Sequence, residues 1–396
     1  MAVKKIIFTL LVAVPALSLQ EDSGFYVVST NFVKFVEKYK VKSPLQVFAG
    51  KALVTLTASE RDDLVNAVHE NQSFCAGVTD VSDEYMKSEN KENFLQEFSA
   101  SQSPNFVSDN YEIKHETQVR SLIDLVDSAK YEEFIRKYIA FPDRYSNSET
   151  GKQASEYLKV YSQNLAKTHG RNDVDVQEVS AGKNYLQKTI YARIPGTDPS
   201  LPGVLIGGHM DTLRNNKPGA DDDASGATVV AELYRAVLES GMKFKRDIYF
   251  TYYAAEEVGL VGSNVMAKQF KASDVKLRGV LQFDMVGYNA EEPLPMHFVE
   301  DNVSDELTKF TKDLAVRYLG LKTREMGTTL CNYECSDHAS WNRQGYPSAF
   351  PFESSFDNMN HKIHTAKDTM DTVNVEHAMR FVKLGAAWIA EMGEAQ

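Results

Sequence analysis

Apolar runs and amphipathic stretches alternate along the chain from about residue 111 to its end. Four short apolar runs predict buried strands, at residues 188–194, 203–208, 248–255 and 279–286. Four longer stretches with helical spacing of apolar positions predict helices, at residues 116–138, 151–168, 227–240 and 304–319. This alternation is typical of an α/β domain with a mostly parallel mixed sheet sandwiched by helices. In such sheets, ligands bind beyond the carboxyl ends of the strands.

The first 110 residues have a different pattern. Residues 19–78 contain a strand-like run at 52–57 and a helix-like stretch at 60–69, which predicts a small α+β unit. Residues 79–110 are polar and acidic, which is typical of a linker. This order predicts a pro-region ahead of a mature domain at residues 111–396. A permanent accessory domain is the alternative.

Residues 1–18 predict an export signal. Lys4 and Lys5 precede an apolar stretch at residues 6–19, which is shorter than the roughly 20 residues that a bilayer span needs. Small neighbouring residues make the bond after Ser18 the expected cleavage site. We therefore expect a secreted protein without membrane attachment after cleavage, and a retained N-terminal anchor is the alternative.

Composition narrows the possible partners. The chain of 396 residues is 43% hydrophobic and 25% charged, which is ordinary for a globular protein, and its formal net charge of −12 disfavours nucleic acid. Cys331 and Cys335 flank a turn-like segment. Oxidising conditions outside the cell favour a disulfide between them, and a zinc site is the weaker interpretation because no second cysteine pair exists. Cys75 lies in the small N-terminal unit.

Acids and histidines stand where the predicted strands end. The candidates are His209, Asp211, Glu256, Glu257 and Asp284 after three strands, the aspartates at 221–223 in a glycine-flanked loop, and His361 and His364 downstream. Parallel strands share one carboxyl edge, so we expect the strand-end groups to converge there. Histidine and carboxylate ligands suit zinc or a similar ion, and a carboxylate can bridge two ions. Adjacent side chains diverge, so one of the two glutamates can bind a cation while the other transfers protons.

Five segments carry a family resemblance, namely Gly207-Gly208-His209-Met210-Asp211, residues 218–226, residues 254–259, Gln282-Phe283-Asp284-Met285 and Ile363-His364-Thr365. In this order they resemble the secreted co-catalytic dizinc aminopeptidases of peptidase family M28, the bacterial leucyl aminopeptidases of the Vibrio type. The resemblance covers about residues 112–396 and implies the zinc exopeptidase fold. The family's members also have a signal and an N-terminal pro-region, in agreement with the organisation predicted above.

The resemblance implies two zinc ions and assigns a ligand set. One ion would be bound by His209 and Asp284, the other by Glu257 and His364, and Asp221 would bridge both. The family's cis peptide bond would fall at Asp221–Asp222.

It also implies roles for residues that do not bind metal. Glu256 would be the general base for a hydroxide held between the ions, Asp211 would orient the His209 imidazole, and Tyr333 would stabilise the developing oxyanion. The family's disulfide matches Cys331 and Cys335. His338 is expected to be structural.

An apolar pocket for the substrate's first side chain is implied as well. Its residues would be Met285, Phe350, Phe352, Phe356, Met359 and Ile363. We expect a monomeric aminopeptidase that acts on peptide or protein N-termini and prefers a large apolar first residue such as Leu. The alternatives are a single-zinc glutaminyl-cyclase-like cyclotransferase of the same fold and a catalytically inactive peptide-binding ectodomain. Each would be expected to lack part of the residue set above, and no member of that set is missing.

Overall fold

The computed structural model describes residues 23–30, 44–71, 77–100, 110–290 and 294–396. The signal predicted at residues 1–18 and Cys75 lie outside the described residues.

The strands and helices are numbered here in chain order. The strands are β1 (Ser23–Ser29), β2 (Gln46–Phe48), β3 (Lys51–Thr57), β4 (Val78–Asp80), β5 (Asp175–Ser180), β6 (Lys188–Ile194), β7 (Gly203–His209), β8 (Ile248–Tyr253), β9 (Leu277–Gln282), β10 (Met296–Val299), β11 (Met326–Thr329), β12 (Ser348–Ala349) and β13 (Pro351–Phe352). The α-helices are α1 (Ala58–Asn71), α2 (Ser82–Lys87), α3 (Phe94–Ala100), α4 (Glu116–Ile123), α5 (Ser128–Tyr138), α6 (Glu149–Thr168), α7 (Ala224–Ser240), α8 (Val261–Ala272), α9 (Asp305–Leu319), α10 (His338–Arg343) and α11 (Val375–Met392).

The main sheet has six strands in the order β12-β9-β7-β8-β6-β5. The β12–β9, β9–β7 and β7–β8 pairs are parallel, and the β8–β6 and β6–β5 pairs are antiparallel. The predicted α/β class with a mostly parallel mixed sheet is therefore confirmed. The carboxyl ends of β9, β7 and β8 lie side by side.

Helices cover both faces of this sheet because its central strands are apolar on both sides. Val204 and Ile206 of β7 pack in the core that includes α7 and α11. Leu205, between them, packs on the opposite face with Phe270 of α8 and Trp341 of α10. Strands buried on both faces are characteristic of parallel sheets, so the uninterrupted apolar runs correctly predicted central strands.

Two predicted helices differ from the observed ones by more than two residues at a boundary. The stretch at 116–138 forms two helices, because the Asp127 carboxylate accepts hydrogen bonds from Ala129 N (2.7 Å) and Lys130 N (3.3 Å) and starts α5 afresh. Helix α7 begins three residues earlier than predicted, where Asp223 caps it by accepting from Gly226 N at 2.8 Å. It ends at Gly241, whose φ of 63° is the left-handed conformation that glycine adopts readily.

The N-terminal unit is a four-stranded antiparallel sheet in the order β2-β3-β1-β4, with α1 packed against it. Part of the polar stretch expected to be a linker belongs to this unit. Within it, β4 pairs with β1, and Phe94, Leu95 and Phe98 are buried in an apolar cluster beside Phe25. The prediction of a linker over the whole of 79–110 is wrong for residues 79–100, because apolar side chains spaced along the polar sequence form a buried face.

A further small sheet has the order β11-β10-β13. Among the helices that the structure describes, none combines the length and apolar character that a membrane crossing requires.

Candidate metal centre and active site

The strand ends bring the predicted acids and histidines together. Strand β7 ends at His209, β8 is followed by Glu256 and Glu257, and β9 is followed by Asp284. All four side chains are buried at the shared carboxyl edge of the sheet, with exposures of 0–5%. His364 joins them from the loop ahead of α11 and is also buried.

Two groups of candidate ligands share one carboxylate, that of Asp222. Asp222 Oδ1 lies 3.0 Å from His209 Nε2, and Oδ2 lies 2.9 Å from His364 Nε2. Asp284 Oδ1 lies 3.6 Å from His209 Nε2, and Glu257 Oε2 lies 3.2 Å from His364 Nε2. In each group of three residues, the donor atoms lie within 4.8 Å of one another. Each group could hold a cation, and Asp222 belongs to both groups.

The shared residue is Asp222, and the sequence-based assignment of Asp221 as the bridge is wrong. The Asp221 carboxylate points elsewhere, because Oδ1 accepts from Gly287 N and Oδ2 from Asn360 Nδ2, both at 3.0 Å. The Asp368 carboxylate accepts from the backbone N–H groups of Asp221 and Asp222 and sets the direction of this loop. The non-proline cis peptide bond also lies one residue later than expected, at Asp222–Asp223.

The charges of the cluster are arranged to hold cations. Burial alone would lower the pKa of the His364 imidazole, but Glu257 and Asp222 raise it to about 10. Burial would raise the pKa of Asp222, but hydrogen bonds from His209 and His364 hold it well below the usual range. Positive charge is thus favoured where the donor atoms converge. Imidazole nitrogens with carboxylate oxygens are the donor set that zinc takes, so the residues of both groups suit zinc binding.

The two adjacent glutamates have different surroundings. Glu257 belongs to a candidate ligand group and Glu256 to neither. Glu256 is 2% exposed, and its Oε2 has no hydrogen-bond partner within the described residues. Burial raises its pKa well above the usual value, although His209 acts in the opposite direction. A raised pKa suits a carboxyl group that must both accept and return a proton.

Asp211 holds this glutamate pair in place. Its Oδ1 accepts from Glu256 N at 2.9 Å, and its Oδ2 accepts from Glu257 N at 3.2 Å. The separation between Asp211 Oδ1 and His209 Nδ1 is 3.6 Å, which is longer than a hydrogen bond. The contacts of Asp211 therefore fix the backbone of the glutamates more directly than they orient the imidazole.

The turns that present these groups carry strained backbone. Ala255, Met285 and His364 have φ angles of 56°, 54° and 60°, in the left-handed region that residues with a side chain rarely adopt. Each such residue costs on the order of 1–3 kcal/mol and persists only where its surroundings enforce it.

Two residues support the site through hydrogen bonds that the sequence did not predict. The Asp223 carboxylate accepts from His209 N, Gly226 N and Met285 N at 2.8–3.2 Å and so ties two strand ends to the start of α7. Ser336 Oγ donates to Asp284 Oδ2 at 2.6 Å. Asp223 was recognisable as a helix cap from its position before α7. Ser336 comes from a distant segment, and no local pattern marks it.

Arg144 is a third supporting residue and is fully buried. Its guanidinium donates to Met210 O (2.7 Å), Gly219 O (2.9 Å) and Pro218 O, and it lies over the Tyr138 ring. It therefore joins the end of β7 to the loop that leads to Asp222. It lies in an irregular segment between two helices, so no periodic pattern could have predicted this role.

The family model of peptidase family M28 matches residues 189–389. The chain belongs to peptidase family M28. It is similar to a probable leucine aminopeptidase 1 of Trichophyton verrucosum, with 33% identity over 297 residues that cover 71% of this chain and 78% of that protein. Two solved structures from Legionella pneumophila are similar over 94% of this chain. LapB has a TM-score of 0.85 at 31% identity with 99% of its chain covered, and the LapA aminopeptidase has 0.82 at 31% with 98% covered.

This M28 enzyme hydrolyses peptide bonds, and an apolar pocket lies beside its donor cluster. The residues that line it are Asp284, Met285, Tyr333, Cys335, Phe350, Phe352, Phe356, Met359 and Ile363. All six residues proposed for the substrate pocket are brought together there. The expected Cys331–Cys335 disulfide is present and encloses Tyr333, which stands at the pocket wall.

Two further histidines of the peptidase lie outside the donor cluster. His338 is buried against the Phe350 ring, with Nε2 3.2 Å from Asp301 O. His361 is exposed and lies near Asp357 O. Neither belongs to a candidate ligand group among the described residues.

The N-terminal unit packs against the peptidase domain close to the site. Tyr26, Val54 and other residues of the unit share an apolar cluster with Ala255 and Val258, which flank the glutamate pair. The Thr79 hydroxyl donates to Glu334, the neighbour of Tyr333. The unit therefore contacts both the turn that carries Glu256 and the disulfide loop.

Proposed function

We propose that this M28 peptidase is a secreted, zinc-dependent aminopeptidase with two zinc ions and a preference for large apolar first residues. The observation that carries the proposal is the pair of ligand groups joined by Asp222, with Glu256 beside them but outside both. His209 and Asp284 would hold one ion and His364 and Glu257 the other, and Asp222 would join them. Zinc ions bound there would supply Lewis acidity and lower the pKa of a bound water.

Glu256 is the proton carrier in this proposal. Its carboxylate accepts a proton from the water that attacks the scissile carbonyl carbon and later donates a proton to the leaving amine. Asp211 holds the Glu256 backbone N–H, so the carboxylate keeps its place beside the ligands while its charge changes. Burial excludes competing water and strengthens each charge interaction in the site.

Tyr333 and the apolar pocket determine how the substrate lies. The Tyr333 phenol would donate a hydrogen bond to the oxyanion that develops on the scissile carbonyl. The pocket would take the first side chain, because Met285, Phe352 and Ile363 present apolar surface immediately beside Asp284. A large apolar side chain such as that of Leu gains most from this burial.

The domain organisation is part of the same proposal. Residues 1–18 would be the export signal, and the unit that ends near residue 100 would be a pro-region removed from the mature enzyme. The contacts of this unit with the Glu256 turn and with Glu334 support a role at the site. A mature N-terminus near residue 110, measured by mass spectrometry of the secreted protein, would agree with this organisation.

The experiment that tests the activity compares leucine para-nitroanilide with its N-acetylated form, before and after removal of metal by a chelator. We expect hydrolysis of the free-amine substrate only, loss of activity with the chelator, recovery with zinc, and about two zinc ions per chain. The proposal would be refuted if hydrolysis continued in the presence of the chelator, or if the processed protein did not hydrolyse the substrate at all.

The alternatives predict other results in the same experiment. A single-zinc cyclotransferase would contain one ion and would cyclise an N-terminal glutamine. An inactive peptide-binding ectodomain would bind peptides without hydrolysis. Both ligand groups and Glu256 are present together, which argues against both alternatives.

A further inference from the structure

The loop that carries Tyr333 is a small ring with an attachment outside itself. The disulfide closes residues Cys331 to Cys335 into the ring. Ring closure fixes the shape of the loop but not its direction over the pocket. A second contact is needed to hold the Tyr333 side chain at the pocket wall beside Asp284.

Asp301 supplies such a contact at the start of the ring, whereas Glu334 near the ring's other end accepts from Arg343 Nη2 and from the Thr79 hydroxyl. Asp301 lies two residues after the end of β10, and its carboxylate accepts from Cys331 N at 3.2 Å and from Asn332 N at 2.5 Å. Two adjacent backbone N–H groups that converge on one carboxylate form a charge-assisted pair of hydrogen bonds, stronger than neutral ones. Asn332 has a φ of 64°, in the left-handed region that asparagine adopts more often than most residues with a side chain.

The next residue and a buried histidine complete the attachment. Asn302 Nδ2 donates to Tyr333 O at 3.1 Å, so the backbone of the tyrosine itself is held. Asp301 is held in turn, because its own carbonyl oxygen lies 3.2 Å from the buried His338 Nε2. The ring is thus joined to the end of β10, which is paired in the β11-β10-β13 sheet.

We propose that Asp301 is a positioning residue for the hydrolytic reaction, holding the Cys331–Cys335 ring so that the Tyr333 phenol faces the developing oxyanion. The proposal rests on the role given to Tyr333 above. Asp301 itself touches no reacting atom. Its effect on catalysis is therefore expected to pass entirely through Tyr333.

A double-mutant cycle tests this dependence. Asp301→Ala should lower kcat for leucine para-nitroanilide about tenfold, which is less than the roughly 10²–10³-fold loss on removal of an oxyanion donor because the phenol is displaced and not removed, and it should change KM less than threefold. In a Tyr333→Phe background, Asp301→Ala should cost less than twofold, because the group it positions is already absent. Asp301→Asn should recover part of the loss, since the amide oxygen still accepts one N–H. Glu300→Gln is the matched control, since this neighbouring acid is exposed and its carboxylate pairs with Lys312 of α9.

A second measurement does not depend on activity. Hydrogen exchange of the Cys331 and Asn332 amides should accelerate in Asp301→Ala and stay unchanged in Glu300→Gln, at unaltered zinc content. Equal losses of kcat in the two backgrounds, or unchanged exchange, would overturn the proposal for Asp301. If Tyr333→Phe alone had normal kcat, the role of Tyr333 would fail; if the unmutated enzyme were inactive, the proposed function would fail.

Discussion

The pKa of a buried imidazole is shifted in opposite directions in two neighbouring parts of the site. In the donor cluster at the strand ends, Glu257 and Asp222 raise the pKa of His364 to about 10. Behind the apolar pocket, burial lowers the pKa of His338 to about 4, although the Asp301 carbonyl acts in the other direction. The first part is built to hold positive charge, and the second to exclude it.

The two parts also differ in what holds them. The cluster is fixed by carboxylates that accept backbone N–H groups from adjacent strand ends, as Asp211 and Asp223 do. The pocket is held by ring contacts, such as Phe352 stacked on Phe356 with ring centres 5.3 Å apart, and by the disulfide loop. Under the proposed function, the metal site would depend on three strand ends and on the loops that carry Asp222 and His364, whereas substrate selection would depend on the disulfide loop and the aromatic side chains. Changes in the cluster should affect metal content and turnover, whereas changes near the pocket should affect stability and selectivity.

The largest effect is expected at the carboxylate shared by the two ligand groups. Asp222→Asn should lose bound zinc and with it nearly all activity, because both groups lose a charged ligand. Asp221→Asn should keep its zinc, since burial raises the pKa of Asp221 to about 8 and an amide resembles the neutral acid. The zinc content per chain and kcat/KM are measured for both variants. The reverse outcome, with zinc lost only in Asp221→Asn, would restore the sequence-based assignment.

That assignment shows where sequence reasoning succeeds and where it stops. Strand ends predicted the positions of His209, Glu257 and Asp284, because apolar runs mark buried strands reliably. The sequence does not show whether Asp221 or Asp222 is the shared ligand. Three consecutive aspartates differ only in the direction in which the folded loop orients their side chains.

Contacts between distant segments were beyond prediction. Arg144 and Asp301 act on loops that follow them by many residues, and the buried aromatic face at residues 94–98 lies in a polar segment. Such residues are recognisable only when the partner segment has been placed in three dimensions.

The second effect separates the two adjacent glutamates. Glu256→Gln should keep its zinc and lower kcat by roughly 10²–10⁴-fold, the usual contribution of a general base. Glu257→Gln should instead bind zinc more weakly. Single-turnover rates with parallel metal analysis distinguish the two variants. A Glu256→Gln enzyme with near-normal kcat would contradict the division of roles.

The third effect is a pH dependence of the free energy of unfolding, which we expect from His338 behind the apolar pocket. His338 is neutral in the folded chain down to about pH 4, whereas in the unfolded chain it takes up a proton near pH 6.5. The unfolded state therefore binds the proton first as pH falls, and stability is full above pH 6.5 and decreases towards pH 4. The decrease amounts to at most about 3 kcal/mol.

His338→Gln keeps a donor for the Asp301 carbonyl but cannot be protonated, so its unfolding free energy should fall less steeply between pH 6.5 and 4. Urea denaturation at several pH values measures this slope. His361→Gln is the control because His361 is exposed, and its slope should match that of the unmutated chain. Parallel curves for His338→Gln and the unmutated chain would show that His338 does not contribute.

The smallest effect is expected at the mouth of the pocket. Phe356 is partly buried and packs against Phe352 and Tyr333 without belonging to the metal cluster. Phe356→Ala should leave zinc content unchanged and reduce the preference for a first-residue Leu over Ala by about 1–3 kcal/mol, because part of the apolar wall is lost. Phe141→Ala, which truncates a partly buried ring next to α5, controls for the general effect of losing a phenyl group. If the ratio of kcat/KM values for the two substrates did not change, the apolar pocket would not be what selects the first residue, and the functional separation of the pocket from the donor cluster would lose its support.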